Sequence, residues 1–165
     1  MTGDPPTGSV VDRDELLRRV AGAREAGRTL ALANGCFDVL HVGHIRYLRA
    51  AAAEADVLVV ALNDDESVLA LKGAGRPILP AEDRAALVAA VRGVDLVVIF
   101  KGLTVSDLLL AVRPDVHCKG TDYTEDSVPE RDVVRSYGGR VAIVGDPKDH
   151  STRDLLARIG RAGPA

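Results

Sequence analysis

The stretch Thr29-Leu30-Ala31-Leu32-Ala33-Asn34-Gly35-Cys36-Phe37-Asp38-Val39-Leu40-His41-Val42-Gly43-His44 decides the fold. Thr29 to Ala33 is a short apolar run that reads as a buried strand, and Asn34-Gly35 breaks it. A helix runs from about Gly43 to Glu54, so His41 and His44 stand at its entrance. A helix N-terminus carries unpaired N–H groups and a partial positive charge, which together attract anions. Two histidines three residues apart share one face of the first turn, where both can donate to phosphate oxygens. Gly43 removes a side chain where a phosphate would approach the backbone, and Gly35 does the same for the loop before it. The bland alternative is a helix cap plus a buried histidine. The position directly behind a strand and a glycine turn favours the polyphosphate reading.

Outward from this stretch the same alternation continues. Residues 1–10 read as a flexible leader, and residues 11–165 as one domain. Asp12-Arg13-Asp14-Glu15 opens an amphipathic helix carrying Leu16, Leu17, Val20 and Ala23, which Gly27 ends. Val57 to Leu62 is a second strand, and Asp64 or Asp65 caps a helix through Leu71. Lys72 to Pro80 is a Gly/Pro loop, Glu82 to Val91 a helix and Leu96 to Phe100 a strand. Thr104 caps a helix to Val112. Val116 to Cys118 is a strand, Lys119 to Val128 a polar loop, and Pro129 sits at the favoured first position of the next helix. Arg140 to Val144 is the fifth strand, and Ser151 or Thr152 caps the last helix. Five apolar strands separated by helices imply an α/β fold with a five-stranded, parallel, doubly wound, Rossmann-like sheet. Ligands of such sheets bind beyond the carboxyl ends of the strands, at the switch point.

Composition narrows the function. The chain has 165 residues, 47% hydrophobic, enough for one packed domain. Aromatic residues are only 3%, with no Trp, and net charge is -3 with both signs interspersed. Stacking platforms and basic stripes for nucleic acid are therefore absent from the sequence. No apolar run approaches the ~18 residues of a membrane span, and the first nine residues lack the apolar stretch of a signal peptide. Cys36 and Cys118 show no metal-ligand spacing and read as free thiols of a cytoplasmic protein.

Phe37-Asp38 followed by His41-Val42-Gly43-His44 resembles the signature of the cytidylyltransferase-like nucleotidyltransferase superfamily. Within it, the chain is similar to the heptose 1-phosphate adenylyltransferase (ADP-heptose synthase) family. The similar segments are Asn34-Gly35-Cys36-Phe37-Asp38, Leu71-Lys72-Gly73, Gly75-Arg76-Pro77, Glu82-Asp83-Arg84, Arg113-Pro114-Asp115-Val116, Lys119-Gly120, Asp122-Tyr123 and Tyr137-Gly138-Gly139. They run in family order from about residue 12 to 160. The resemblance implies a nucleotidyltransferase-type fold that moves AMP from ATP onto a heptose 1-phosphate, with a magnesium ion on the triphosphate and a homodimeric assembly. It implies nucleotide contacts from Gly35, Cys36, Phe37, Asp38, His41, Gly43, His44, Lys119, Gly120, Ser151 and Thr152. Acceptor contacts fall to Asn34, Asp38, Lys72, Arg76 and Asp122, and catalytic roles to His41, His44, Lys72 and Arg92. No side chain is assigned to the metal.

Each charged residue has a second reading. Lys72 and Arg76 are either phosphate ligands or solvated loop charges. Arg84 is ambiguous, since Asp83-Arg84 could be a helix-start ion pair. Arg92 is either a phosphate contact or a partner of a helix C-terminal dipole. Asp122 could bind a sugar hydroxyl, orient Lys119 or cap its loop. Thr121, Asp149 and Arg153 depart from the family pattern; Arg153 could add a bidentate phosphate contact, while Asp149 sets a like charge near the triphosphate unless a metal ion or Lys148 offsets it. Cys36 lacks a paired base and reads as a small loop residue. A cytidylyltransferase acting on glycerol 3-phosphate and a non-catalytic nucleotide-binding module remain the competing functions. A class I aminoacyl-tRNA synthetase fragment is excluded by length, acidity and the lack of a KMSKS-like loop.

Overall fold

Alternation of side chains along buried strands builds two apolar layers, one on each face of a single sheet. In the computed structural model, which describes residues 8–147 and 151–163, the elements run in the order that follows. They are β1 (Ser9–Val11), α1 (Arg13–Glu25), β2 (Leu30–Gly35), α2 (Val42–Ala52), β3 (Val57–Asn63), α3 (Asp65–Lys72), α4 (Ala81–Ala89) and β4 (Leu96–Phe100). There follow α5 (Ser106–Val112), β5 (Val116–Lys119), a 3-10 turn (Glu125–Ser127), α6 (Arg131–Ser136), β6 (Arg140–Ile143) and α7 (Thr152–Ala162). Ala31 and Ala33 of β2 pack with Leu48 of α2 and Val88 of α4 on one face. Leu30 and Leu32 pack with Leu16 of α1, Leu109 of α5 and Val134 of α6 on the other. Period-two alternation sends neighbours of one strand to opposite layers, so a strand buried on both faces must be apolar throughout. β3 shows this, with all seven residues buried.

All described strand pairs are parallel, in the order β1-β4-β3-β2-β5-β6. The chain winds outward from β2 through β3 to β4, then returns to place β5 on the other side of β2. The switch point therefore lies between β2 and β5, whose carboxyl ends carry Asn34-Gly35 and Lys119. Among the described residues no helix is long and apolar enough to cross a membrane.

Several sequence expectations need correction. The sheet has six strands, not five, because Ser9–Val11 pairs with Leu96–Val98. Residues 8–10 of the expected leader 1–10 are therefore part of the folded domain; residues 1–7 lie outside the described residues. Gly8 lets this strand dock: its N–H donates to the Ala89 carbonyl at 2.9 Å, and a Cβ there would stand 2.7 Å from the Val94 oxygen. Thr104 does not cap the next helix, although that helix does run to Val112 as expected. α5 starts at Ser106 behind Val105, which is fully buried and anchors the turn instead. Pro129 does not open α6 either; the 3-10 turn and a Glu130 cap come first. β2 runs through Asn34-Gly35, which the sequence placed in the turn, and Lys72 closes α3 instead of opening the loop.

Candidate functional site

At the carboxyl edge of the sheet the loops after β2, β3, β4, β5 and β6 and the start of α7 enclose a cavity of about 1010 Å³. Every residue nominated from the sequence lines it except Arg92. Arg92 lies between α4 and β4, where the chain has returned to the amino edge, and its side chain is exposed. A helix in a βαβ unit carries the chain back across the sheet, so its C-terminus is remote from the ligand edge. The assignment of Arg92 to phosphate is corrected on that ground.

His41 is the N-cap of α2, and its Nδ1 accepts the Gly43 N–H at 3.1 Å. His44 Nδ1 faces the His41 N–H at 3.4 Å, closing a reciprocal cap. The two rings stack with centroids 3.9 Å apart, and Phe37 meets His44 edge-on at 5.4 Å. An imidazole that accepts at Nδ1 carries its proton on Nε2, so both tautomers are assigned by the backbone. The helix start thus holds two stacked imidazoles, each fixed at Nδ1, in the lining of the cavity. Gly35 makes room for Phe37 in this packing, since a Cβ would stand 3.1 Å from its ring. Tyr47 Oη donates to the Cys118 carbonyl at 2.7 Å and ties α2 to β5, across the switch point.

Asp38 lines the cavity and also ties its loops together. Its side chain is fully buried, bonded to Arg76 Nε at 2.7 Å and to the N–H groups of Ile78 and Leu79. Burial alone would raise its pKa, but the Ile78 N–H, Arg76 and the Leu79 N–H outweigh it and hold the carboxyl below its ordinary range. Arg76 is correspondingly engaged at Nε, with its side chain 18% exposed at the cavity wall. Thr152 Oγ1 donates to the Asp38 carbonyl at 3.0 Å, and Ser151 caps α7 by accepting from Asp154 N–H at 3.1 Å. Lys72 is exposed at the cavity rim. Lys148 and Asp149 lie outside the described residues.

Arg84, left open by the sequence, is fully buried and serves the frame of the site. It donates to the carbonyls of Leu79, Cys36 and Asn63 at 2.9, 2.6 and 2.9 Å and pairs with Asp65 at 2.7 Å. One guanidinium thereby joins the loops after β2 and β3 to α4. Cys36 lies beside it, its thiol pushed up by burial, which leaves it a poor nucleophile.

In and after β5 lies a second cluster, of which the sequence had marked Lys119 but neither His117 nor Glu130. His117 is fully buried, and its Nε2 donates to Asn34 Oδ1 at 2.9 Å; burial, with Lys119 nearby, pushes its pKa down to about 3. A neutral imidazole therefore orients the Asn34 amide. Lys119 is 8% exposed, sits 4.5 Å from the centre of the Tyr123 ring, and has its pKa lowered by burial against the opposing pull of Glu130 and Asp122. Glu130 also lines the cavity, 5% exposed, and its Oε2 has no hydrogen-bond partner among the described residues. No sequence signal marked Glu130, because Pro129 before it read as a helix start.

The cytidylyltransferase-like family model matches residues 32–155. Bifunctional protein HldE of Methylobacillus flagellatus is 45% identical over 150 residues, which are 91% of this chain and 31% of that protein. Bifunctional protein HldE of Gluconobacter oxydans is 45% identical over 152 residues, 92% of this chain and 32% of that protein. The chain thus spans about a third of the length of the curated relatives it matches. Among solved structures, the lipopolysaccharide core biosynthesis protein from Thermoplasma volcanium aligns with a TM-score of 0.63 and 26% identity, covering 74% of this chain and all of that one. With the switch-point cavity and the paired imidazoles at its floor, these matches establish that the chain belongs to the cytidylyltransferase-like family of nucleotidyltransferases.

Proposed function

We propose that this domain transfers AMP from ATP to a heptose 1-phosphate, giving an ADP-heptose and pyrophosphate. The observation that carries the reading is the pair of stacked imidazoles, His41 and His44, which cap a helix N-terminus through Nδ1 and line the cavity. Similarity to the HldE proteins and to a lipopolysaccharide core biosynthesis protein supports the choice of acceptor.

A phosphate oxygen of the acceptor attacks the α-phosphorus, a new P–O bond forms, and the bond to the bridging oxygen breaks. Pyrophosphate leaves with the bonding pair. A phosphate dianion is already a competent nucleophile, so the reaction requires no general base and no covalent intermediate. Catalysis is then positioning plus stabilisation of charge on the α-phosphate and the leaving group. His41 and His44 serve the α- and β-phosphates, the start of α7 holds the departing pyrophosphate, and Lys72 with Arg76 draws in the acceptor's phosphate. Among the described residues no three His, Cys, Asp or Glu side chains cluster to grip a metal alone. A magnesium ion accompanying the triphosphate would screen its charge. The assembly follows the resemblance as a homodimer, to be checked by light scattering.

The deciding assay measures pyrophosphate release with ATP or CTP, each paired with heptose 1-phosphate or glycerol 3-phosphate. Turnover confined to ATP with the heptose supports the proposal. Faster release with CTP and glycerol 3-phosphate replaces it with the cytidylyltransferase reading, and ATP binding without any turnover replaces it with a non-catalytic module.

A further inference from the structure

Three groups diverge from the phosphorus in this reaction. The entering and leaving oxygens lie in line, and the nucleoside projects off that axis. The cavity has three matching regions around the histidines. Lys72 and Arg76 follow β3 on one side, and the start of α7 follows β6 on the other. The remaining wall, after β5, holds Lys119, Tyr123 and Glu130. The nucleoside is the group without a place elsewhere.

Glu130 is built in a way that a merely structural carboxylate is not. The residue lines the cavity but is only 5% exposed, and its Oε2 is buried without a hydrogen-bond partner among the described residues. An unpartnered buried carboxylate is costly and persists where a ligand supplies the missing donor. In dinucleotide-binding parallel sheets, an Asp or Glu near the bound cofactor hydrogen-bonds the ribose 2′-hydroxyl, so a carboxylate is a suitable acceptor for that group. Lys119, 4.5 Å from the Tyr123 ring and drawn to Glu130 by charge, keeps that wall from being wholly anionic beside a triphosphate.

We propose that Glu130 is the ribose-reading residue of this site, its carboxylate accepting the 2′-hydroxyl of the nucleotide and so selecting ribonucleotides over deoxyribonucleotides. The inference rests on the nucleotidyltransferase reading above but not on the identity of the acceptor or the base.

Calorimetric titration of the full chain with ATP and with 2′-deoxyATP, with magnesium present and no acceptor, tests it. The intact protein binds ATP about tenfold more tightly, the size of one hydrogen bond to a charged group. In Glu130→Ala that ratio falls towards one, and in Glu130→Gln, which keeps the volume, it falls to an intermediate value. Circular dichroism melting of both variants verifies folding. A ratio preserved in folded variants, or an equal loss of both nucleotides, overturns the inference and leaves the proposed function standing. A tenfold preference that is absent from the intact protein overturns it too. Failure of the intact protein to bind either nucleotide instead overturns the proposed function.

Discussion

His41 and His44 each commit one ring nitrogen, Nδ1, to the backbone at the entrance of α2. The cap that builds the helix entrance is therefore the device that fixes the tautomers. His44→Ala removes one donor and one half of the cap. Turnover is expected to drop ~10²–10³-fold, the loss typical of one charge-stabilising donor. The cap costs only about 1 kcal/mol, so the melting curve should remain cooperative; near-wild-type turnover would refute the role. Asp38 acts by stability. Its folded-state pKa lies below the unfolded 3.8, so its contribution is complete above that value and is lost as pH falls through the lower one. Asp38→Asn should lower stability at neutral pH by about 3 kcal/mol, since Arg76 keeps a charge without its partner. The stability difference between Asp38→Asn and the parent should shrink on acidification below about pH 4. Urea titration across pH 2–7 checks both points.

At the scale of elements, Arg84 is the joint between α4 and the carboxyl ends of β2 and β3. Arg84→Ala should cost about 3–5 kcal/mol, because several carbonyls and Asp65 lose their donor inside the protein. Arg84→Lys should recover little, as an ammonium cannot reproduce the planar fork; equal stability of Arg84→Lys and the parent would refute the clamp. This joint also marks where sequence reading stops. The β2 apolar run and the His41-Val42-Gly43-His44 entrance were legible because period and capping are local properties. Arg84 was not, since its partners are up to 48 residues away and nothing adjacent to Asp83-Arg84 reports them. β1 escaped notice because three residues behind a Gly/Pro segment carry no period, and only the edge of β4 makes Ser9–Val11 a strand. Glu130 escaped for the converse reason. Pro129 before it read as a helix start, and the burial of Glu130 arises only in the folded chain.

On the scale of the molecule, the two edges of the sheet have separate duties. The carboxyl edge gathers the histidines, Lys72, Lys119 and the start of α7, while the amino edge holds turns such as Val91–Asp95. Arg92→Ala should therefore leave kcat and KM within about twofold, as for a surface change away from special features; a hundredfold loss in steady-state assays would bring Arg92 back to the phosphates. The threads through Asp38 give this edge a further property. Its carboxylate fastens the Ile78 segment, and its carbonyl holds Thr152, so the histidine loop, the arginine loop and the last helix are strung on one residue. Their mutual freedom is surrendered when the chain folds, not when a nucleotide arrives. Association then has less conformational entropy to extinguish.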